Sequence, residues 1–298
     1  MARRPDAAGR IERDGVAIHW ERFGDRAPTI MLLPTWSLVP SRHWKFQVPY
    51  LARRHRVVTF DGRGTGRSDR PGGVAPYAEA EFAADAAAVL DATHTDRAVL
   101  VGWSCGARWG TRLAADHPTR VLGLVAIGPA VPLAPLLPER EVYAFDEPCP
   151  ASAGWAKYNS FYWQREYGDF LKFFAAQMVS EAHSTKQVED VVEWGLQIDA
   201  ATLADTHRAL DAGDRECFRA MCERVRCPVL VIHGDDDALR PHAHGSALAE
   251  ATGGKLVTIA GGGHAPLLRD PVVVNRLIER FVTTLSPAPP LANAGVYR

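Results

Sequence analysis

Six short, continuous runs of apolar and β-branched residues recur along this chain, at 29–33, 56–60, 98–102, 121–127, 228–232 and 255–259. Runs without a polar alternation are what strands buried on both faces require. Stretches of helical character lie between them, at 77–92, 105–117, 242–251 and 271–285. Strands alternating with helices in this way predict a mostly parallel sheet covered on both faces. An antiparallel hairpin is expected over residues 10–23, with Asp14-Gly15 as its turn. The chain has 298 residues, 47% of them hydrophobic, enough to bury a substantial core as one large domain or a core with a smaller addition.

Residues 132–214 break the rhythm. They hold no strand-like run and are rich in helix formers and aromatics, among them Trp155, Tyr158, Phe161, Tyr162, Trp163, Phe170, Phe174 and Trp194. Pro132, Pro135, Pro138, Pro148 and Pro150 cluster at the entrance. This segment reads as a helical cap inserted over the carboxyl edge of the sheet, leaving residues 1–131 and 215–298 as the α/β core. Beyond the last helix, Ser286-Pro287-Ala288-Pro289-Pro290 reads as an extended, loosely held tail.

Several function classes are excluded at this level. Net charge is −1, with acidic and basic residues interspersed, so no basic stripe points to nucleic acid. No apolar run approaches the length of a bilayer span. Arg3-Arg4 is not followed by the apolar segment of an export signal. The five cysteines are odd in number and scattered, which is not a disulfide framework. Cys217, Cys222 and Cys227 form no Cys-x-x-Cys pair, so no metal site is expected. A cytoplasmic protein acting on a small molecule, without metal or cofactor, is the expectation. The loop Gly62-Arg63-Gly64-Thr65-Gly66-Arg67 invites a dinucleotide-binding reading, but it lacks the third glycine of that fingerprint. Turn residues rather than a helix start follow it.

Chemistry concentrates at three points. Gly102-Trp103-Ser104-Cys105-Gly106 lies where the run 98–102 meets the helix-like stretch at 105–117. A serine at that junction sits on a sharp turn, and small residues two before and two after it prevent clashes. Ser104 is therefore the candidate nucleophile. Cys105 is read as packing, its side chain turned into the helix. A serine hydroxyl needs a base, and the base needs an orienting acid; in folds with a G-x-S-x-G serine at a strand-to-helix turn the chain order is serine, acid, histidine. His264, after Gly261-Gly262-Gly263, is the best placed of eleven histidines. The acid lies among Asp235, Asp236 and Asp237, just past another strand end. Asp237 is the choice, with its two neighbours in reserve.

These motifs together resemble the α/β-hydrolase superfamily over essentially the whole chain. Asp61-Gly62-Arg63-Gly64-Thr65-Gly66-Arg67-Ser68-Asp69 matches that family's D-x-R-G-x-G-x-S-D loop. The resemblance implies the α/β-hydrolase fold, no metal or cofactor, a lid where the cap was placed, and the acid three residues after Gly234, at Asp237. One departure stands out: Pro34-Thr35 replaces the family's usual His-Gly. One oxyanion donor is expected to be the N–H of Cys105. The second falls by alignment on the N–H of Trp36, with the Thr35 and Ser37 side chains in reserve, because Pro34 has no N–H. Trp103, Trp155, Tyr158 and Tyr162 are the candidate substrate-contacting aromatics. They favour an apolar or aromatic group on a small carboxylic ester. C–C hydrolysis, amide hydrolysis and acyl transfer run on the same machinery. A fourth alternative is a ligand sensor with slow turnover, and a fifth an aminopeptidase using Glu166, Asp169 or Glu181.

Overall fold

The computed structural model describes residues 3–211 and 214–285. The proline-rich tail lies outside the described residues. Eight strands form one sheet in the order β1-β2-β4-β3-β5-β6-β7-β8. They are β1 (Ala7–Arg13), β2 (Val16–Phe23), β3 (Thr29–Leu32), β4 (Arg56–Phe60), β5 (Ala98–Trp103), β6 (Val121–Ile127), β7 (Val229–Gly234) and β8 (Lys255–Ile259). β1 and β2 form the expected hairpin, with Asp14 and Gly15 both at positive φ (53° and 74°), as the two-residue turn demands. From β4 to β8 every pairing is parallel; β2 meets β4 antiparallel. Ile30 of β3 lies between Val57 of β4 and Val99 of β5, so the strongest apolar runs hold the centre. Every residue of β3 and β5 is buried, whereas β8, at the sheet edge, is half-exposed.

Helices α1 (Val48–Leu51), α2 (Glu79–Ala92), α3 (Cys105–Asp116), α8 (Ala243–Thr252), α9 (Pro266–Arg269) and α10 (Pro271–Leu285) cover the sheet. α2 packs on α3, and α1 on α10. Two short helices, α1 and α9, are too brief to leave a periodic signature. Between β6 and β7 lie α4 (Ser160–Met178), α5 (Thr185–Gly195), α6 (Ala200–Asp211) and α7 (Arg215–Cys222). α4 packs on α5 and α6, while α7 returns to α3. Asn159 fixes the start of α4: its Oδ1 accepts the N–H groups of Phe161 and Tyr162, and its Nδ2 donates to the carbonyls of Ala144 and Glu147. Among the described residues no helix is long and apolar enough to cross a membrane.

The loop after β4 is filled by its own side chains. The Asp61 carboxylate accepts from Ser41 and from the Arg67 N–H. A Cβ on Gly66 (φ 55°) would stand 2.2 Å from that carboxylate. Arg63 is buried and forks onto buried Asp85 at 2.7 Å through both nitrogens. These glycines make room for a carboxylate of the chain itself and not for a dinucleotide.

One buried group fixes a pH response of the fold. His43 has 0% exposure, its Nδ1 donates to the Pro40 carbonyl at 2.8 Å, and its Nε2 has no partner. Burial, outweighing that hydrogen bond, pushes its pKa down to about 4. Below histidine's ordinary 6.5 the unfolded chain takes up a proton that the native state refuses. This stability is whole above about pH 6.5 and is lost as pH falls toward 4. Between pH 7.5 and 5 the loss from His43 is about 2 kcal/mol. Urea titrations at the two pH values should show it, and His43→Asn should be less stable at pH 7.5 with a shallower pH slope. Equal slopes in both proteins would remove His43 from the account.

Candidate active site

Ser104, Asp237, His264 and Trp36 each stand just past the carboxyl end of a strand, where ligands gather in open parallel sheets. Ser104 follows β5 and caps α3 with φ 55° and ψ −117°, a strained conformation for a residue with a side chain. The flanking glycines are what allow it. A Cβ on Gly102 would come within 2.3 Å of the Gly106 carbonyl oxygen, and one on Gly106 within 2.3 Å of the Pro34 carbonyl oxygen. The second contact also seats the loop after β3 directly against the start of α3.

Ser104 Oγ lies 2.9 Å from His264 Nε2, and His264 Nδ1 lies 2.7 Å from Asp237 Oδ2. The carboxylate fixes the tautomer: Nδ1 carries the proton and Nε2 is left to accept from the hydroxyl. Asp237 Oδ1 accepts the main-chain N–H groups of Leu239 and Arg240, each at 2.8 Å. Burial by itself would raise the Asp237 pKa. The facing His264 ring and the hydrogen bonds from His233 and His264 outweigh it and hold the carboxyl below the usual carboxylate range. Of the three consecutive aspartates, only Asp237 reaches His264. Asp235 accepts the Gly261 N–H at 2.6 Å, and Asp236 is exposed.

His233 completes this network and is not singled out by sequence reasoning. Its Nε2 lies 3.0 Å from Asp237 Oδ2 and 2.9 Å from the Arg240 carbonyl oxygen. Both are acceptors, so Nε2 carries the proton and is shared between them. The ring fits because Gly245 of α8 has no side chain: a Cβ there would stand 2.4 Å from His233 Nδ1. The available signal was a histidine closing an otherwise apolar strand.

A cavity of about 430 Å³ opens over Ser104 and His264. Trp103 and Tyr158 line it; Trp155 and Tyr162 do not. Trp155 instead lies face-on to the Arg140 guanidinium, 4.4 Å from its ring centroid, and Tyr162 donates to Asp169 at 2.7 Å. Trp103 is less free than expected, because its Nε1 donates to the His264 carbonyl at 2.8 Å and so holds that loop. Cys105 corrects a second expectation: its residue lines the cavity wall instead of being lost inside the helix. Burial pushes its thiol pKa up, so it is held as a thiol.

The N–H groups of Trp36 and Cys105 donate to no oxygen among the described residues, the Trp36 N–H facing the Cys105 thiol, and both residues line the cavity beside Ser104. Ser37 is excluded as an alternative donor, since its hydroxyl is spent on the Arg63 carbonyl at 2.9 Å. Thr35 lines the cavity. The Trp36 indole reaches up into the helical insertion, donating to Thr206 Oγ1 at 2.8 Å and meeting Phe174 edge-on. The acids named for amine recognition lie elsewhere: Glu181 accepts the Gly263 N–H, Asp169 is bound by Tyr162 and Lys157, and Glu166 marks a kink in α4. None of them lines the cavity.

The comparisons agree with this fold. The sequence model of the α/β-hydrolase fold family matches residues 28–271. RutD of Variovorax paradoxus, assigned as a carbamate hydrolase, is 30% identical over 280 residues, covering 90% of this chain and 97% of that protein. The pimeloyl-[acyl-carrier protein] methyl ester esterase of Aeromonas hydrophila is 28% identical over 272 residues, covering 90% and 100%. Among solved structures, Est816, an N-acyl homoserine lactone degrading enzyme, superposes with a TM-score of 0.72 at 27% identity, covering 92% of this chain and 100% of its own. The chain belongs to the α/β-hydrolase fold family and is a hydrolase of that fold.

Proposed function

We propose that this enzyme hydrolyses a small carboxylic ester through an acyl-enzyme formed on Ser104, with residues 132–214 acting as a cap over the site. The observation that carries the reading is the unbroken chain from Ser104 Oγ to His264 to Asp237 at the base of the cavity. His264 takes the Ser104 proton as the oxygen attacks the carbonyl and later returns it to the leaving alcohol. Water then repeats the sequence on the acyl-enzyme. The N–H groups of Cys105 and Trp36 receive the oxyanion in the transition state. Trp36, Leu38, Val39, Phe174 and Met178 give the acyl or alcohol group an apolar wall. Ester hydrolysis is favoured over peptide or amine-directed chemistry because, among the described residues, exposed Glu141 is the one carboxylate lining the cavity to receive a substrate amine. The relatives' names, methyl ester esterase and lactone degrading enzyme, point the same way.

The test is steady-state turnover of a panel of activated esters, thioesters, amides and lactones, beside labelling by a fluorophosphonate. Multiple turnovers of esters are expected. Labelling with a single turnover and no more would replace this reading by that of a sensor. The donor loop has its own expected result. Trp36→Ala keeps the N–H but removes the indole and its bond to Thr206. It should raise KM and lower stability by about 3 kcal/mol or more. Trp36→Pro removes the N–H and should in addition lower kcat by about 10²–10³. If both variants keep wild-type kcat in folded protein, Trp36 is not the donor and Thr35→Val becomes the discriminating variant.

A further inference from the structure

The interior of the active-site cavity is positively charged, and nothing in the hydrolytic mechanism uses that charge. Arg140, from the helical insertion, and Arg240, three residues past Asp237, both line it. The two buried arginines are paired, Arg63 with Asp85 and Arg108, also on the cavity wall, with Glu79, while half-buried Arg22, Arg56 and Arg269 outside the cavity have no ion pair among the described residues. Neither Arg140 nor Arg240 has a carboxylate within ion-pairing distance among the described residues. Glu141, among the described residues the one acid lining the cavity, is exposed and pairs with neither.

The Arg140 side chain is held in place, and Arg240 is anchored through its main chain. The main chain of Arg240 is clamped into the site, its N–H donating to Asp237 and its carbonyl accepting from His233. Its guanidinium makes no hydrogen bond among the described residues. Arg140 donates from Nη1 to the Leu239 carbonyl and lies over Trp155, and its Nε is buried without a partner. Two further groups register the charge. Burial, and then Arg240, push the Arg140 pKa down to about 10. Burial, and then Arg240 and Arg140, push His207 on the same wall down to about 3. Like charges in a half-buried cavity repel, and an anion between them removes the repulsion while satisfying the open N–H groups.

We infer that Arg140 and Arg240 form an anion subsite, and that the enzyme's ester substrate carries a carboxylate at the end remote from the scissile bond. The substrate is then a half-ester or lactone of a dicarboxylic type, with an apolar stem between ester and acid. This rests on the ester-hydrolase reading and adds its specificity. It also amends the expectation, drawn from the aromatic-rich sequence, of an ester favoured for an apolar or aromatic group.

The test compares the aryl ester of 5-methylhexanoate with the mono-aryl ester of glutarate, a neutral and an anionic substrate of the same length and branching. In the wild type the anionic ester should be favoured in kcat/KM by about 10- to 100-fold, the usual worth of one or two charge-assisted hydrogen bonds. Arg240→Met and Arg140→Met keep much of the side-chain bulk and should collapse that ratio toward one, mainly through KM. A merely structural role for Arg140, latching the insertion to Leu239, would lower both substrates equally and leave the ratio intact, which would overturn the inference. Calorimetric titration with glutarate supplies a readout independent of turnover: binding is expected in the wild type and its loss in either variant. Neutral esters turned over without preference, together with no glutarate binding, would refute the subsite and leave the esterase reading standing. Arginine-dependent glutarate binding with no ester turned over would do the reverse.

Discussion

Ser104→Ala is expected to lower kcat for any ester substrate by on the order of 10⁶ and to abolish fluorophosphonate labelling, with the protein still folded. The loss is that large because His264 and Asp237 act only through the serine oxygen. Without it the pair has no nucleophile to activate, and what remains is the oxyanion site and substrate binding. Folding should be spared because the residue caps α3 without a side-chain hydrogen bond to the helix, and alanine adds no bulk at φ 55°. Thermal melts and rates measured on the same sample separate the two effects. Half the wild-type rate in a folded Ser104→Ala protein would end the account.

Asp237→Asn should cost about four orders of magnitude in turnover, and the local geometry says why. Asp237 Oδ1 already accepts two main-chain N–H groups, so an asparagine keeps its carbonyl oxygen there and turns its NH₂ toward His264 and His233. That NH₂ then faces two ring N–H groups. His233 cannot change tautomer without losing its bond to the Arg240 carbonyl, so His264 is the ring that must flip. A flipped His264 presents an N–H to Ser104 and cannot take its proton. Asp236→Asn, at an exposed position outside this network, should lie within a fewfold of wild type. Asp235→Asn should lose only the support it gives the Gly261 turn. If Asp236→Asn proved the most damaging of the three, the acid would be misassigned.

The sheet and the first shell of side chains were legible because each depends on local patterns. Buried parallel strands must be continuously apolar, so the runs near 98–102 and 121–127 announced β5 and β6. The serine's junction needs glycines at fixed spacing for steric reasons that hold wherever the turn occurs. What the sequence did not announce depends on contacts between distant segments. Arg140 and Arg240 are two arginines among 34 basic residues, and nothing local separates them from solvated ones. Only the folded chain shows that they share a cavity and lack counterions. The aromatic-rich segment misled in the same way: Trp155 and Tyr162 are consumed by Arg140 and Asp169, partners that composition does not reveal.

The central claim is that the acyl group is carried by the Ser104 oxygen and not by the adjacent Cys105 thiol, which shares the cavity wall. It is tested most directly by quenching the enzyme in acid within milliseconds of mixing with an activated ester and locating the acyl mass by peptide fragmentation. An adduct on Ser104 that forms and decays at rates matching turnover is the result expected. An adduct on Cys105, or steady turnover with no adduct on Ser104, would contradict it.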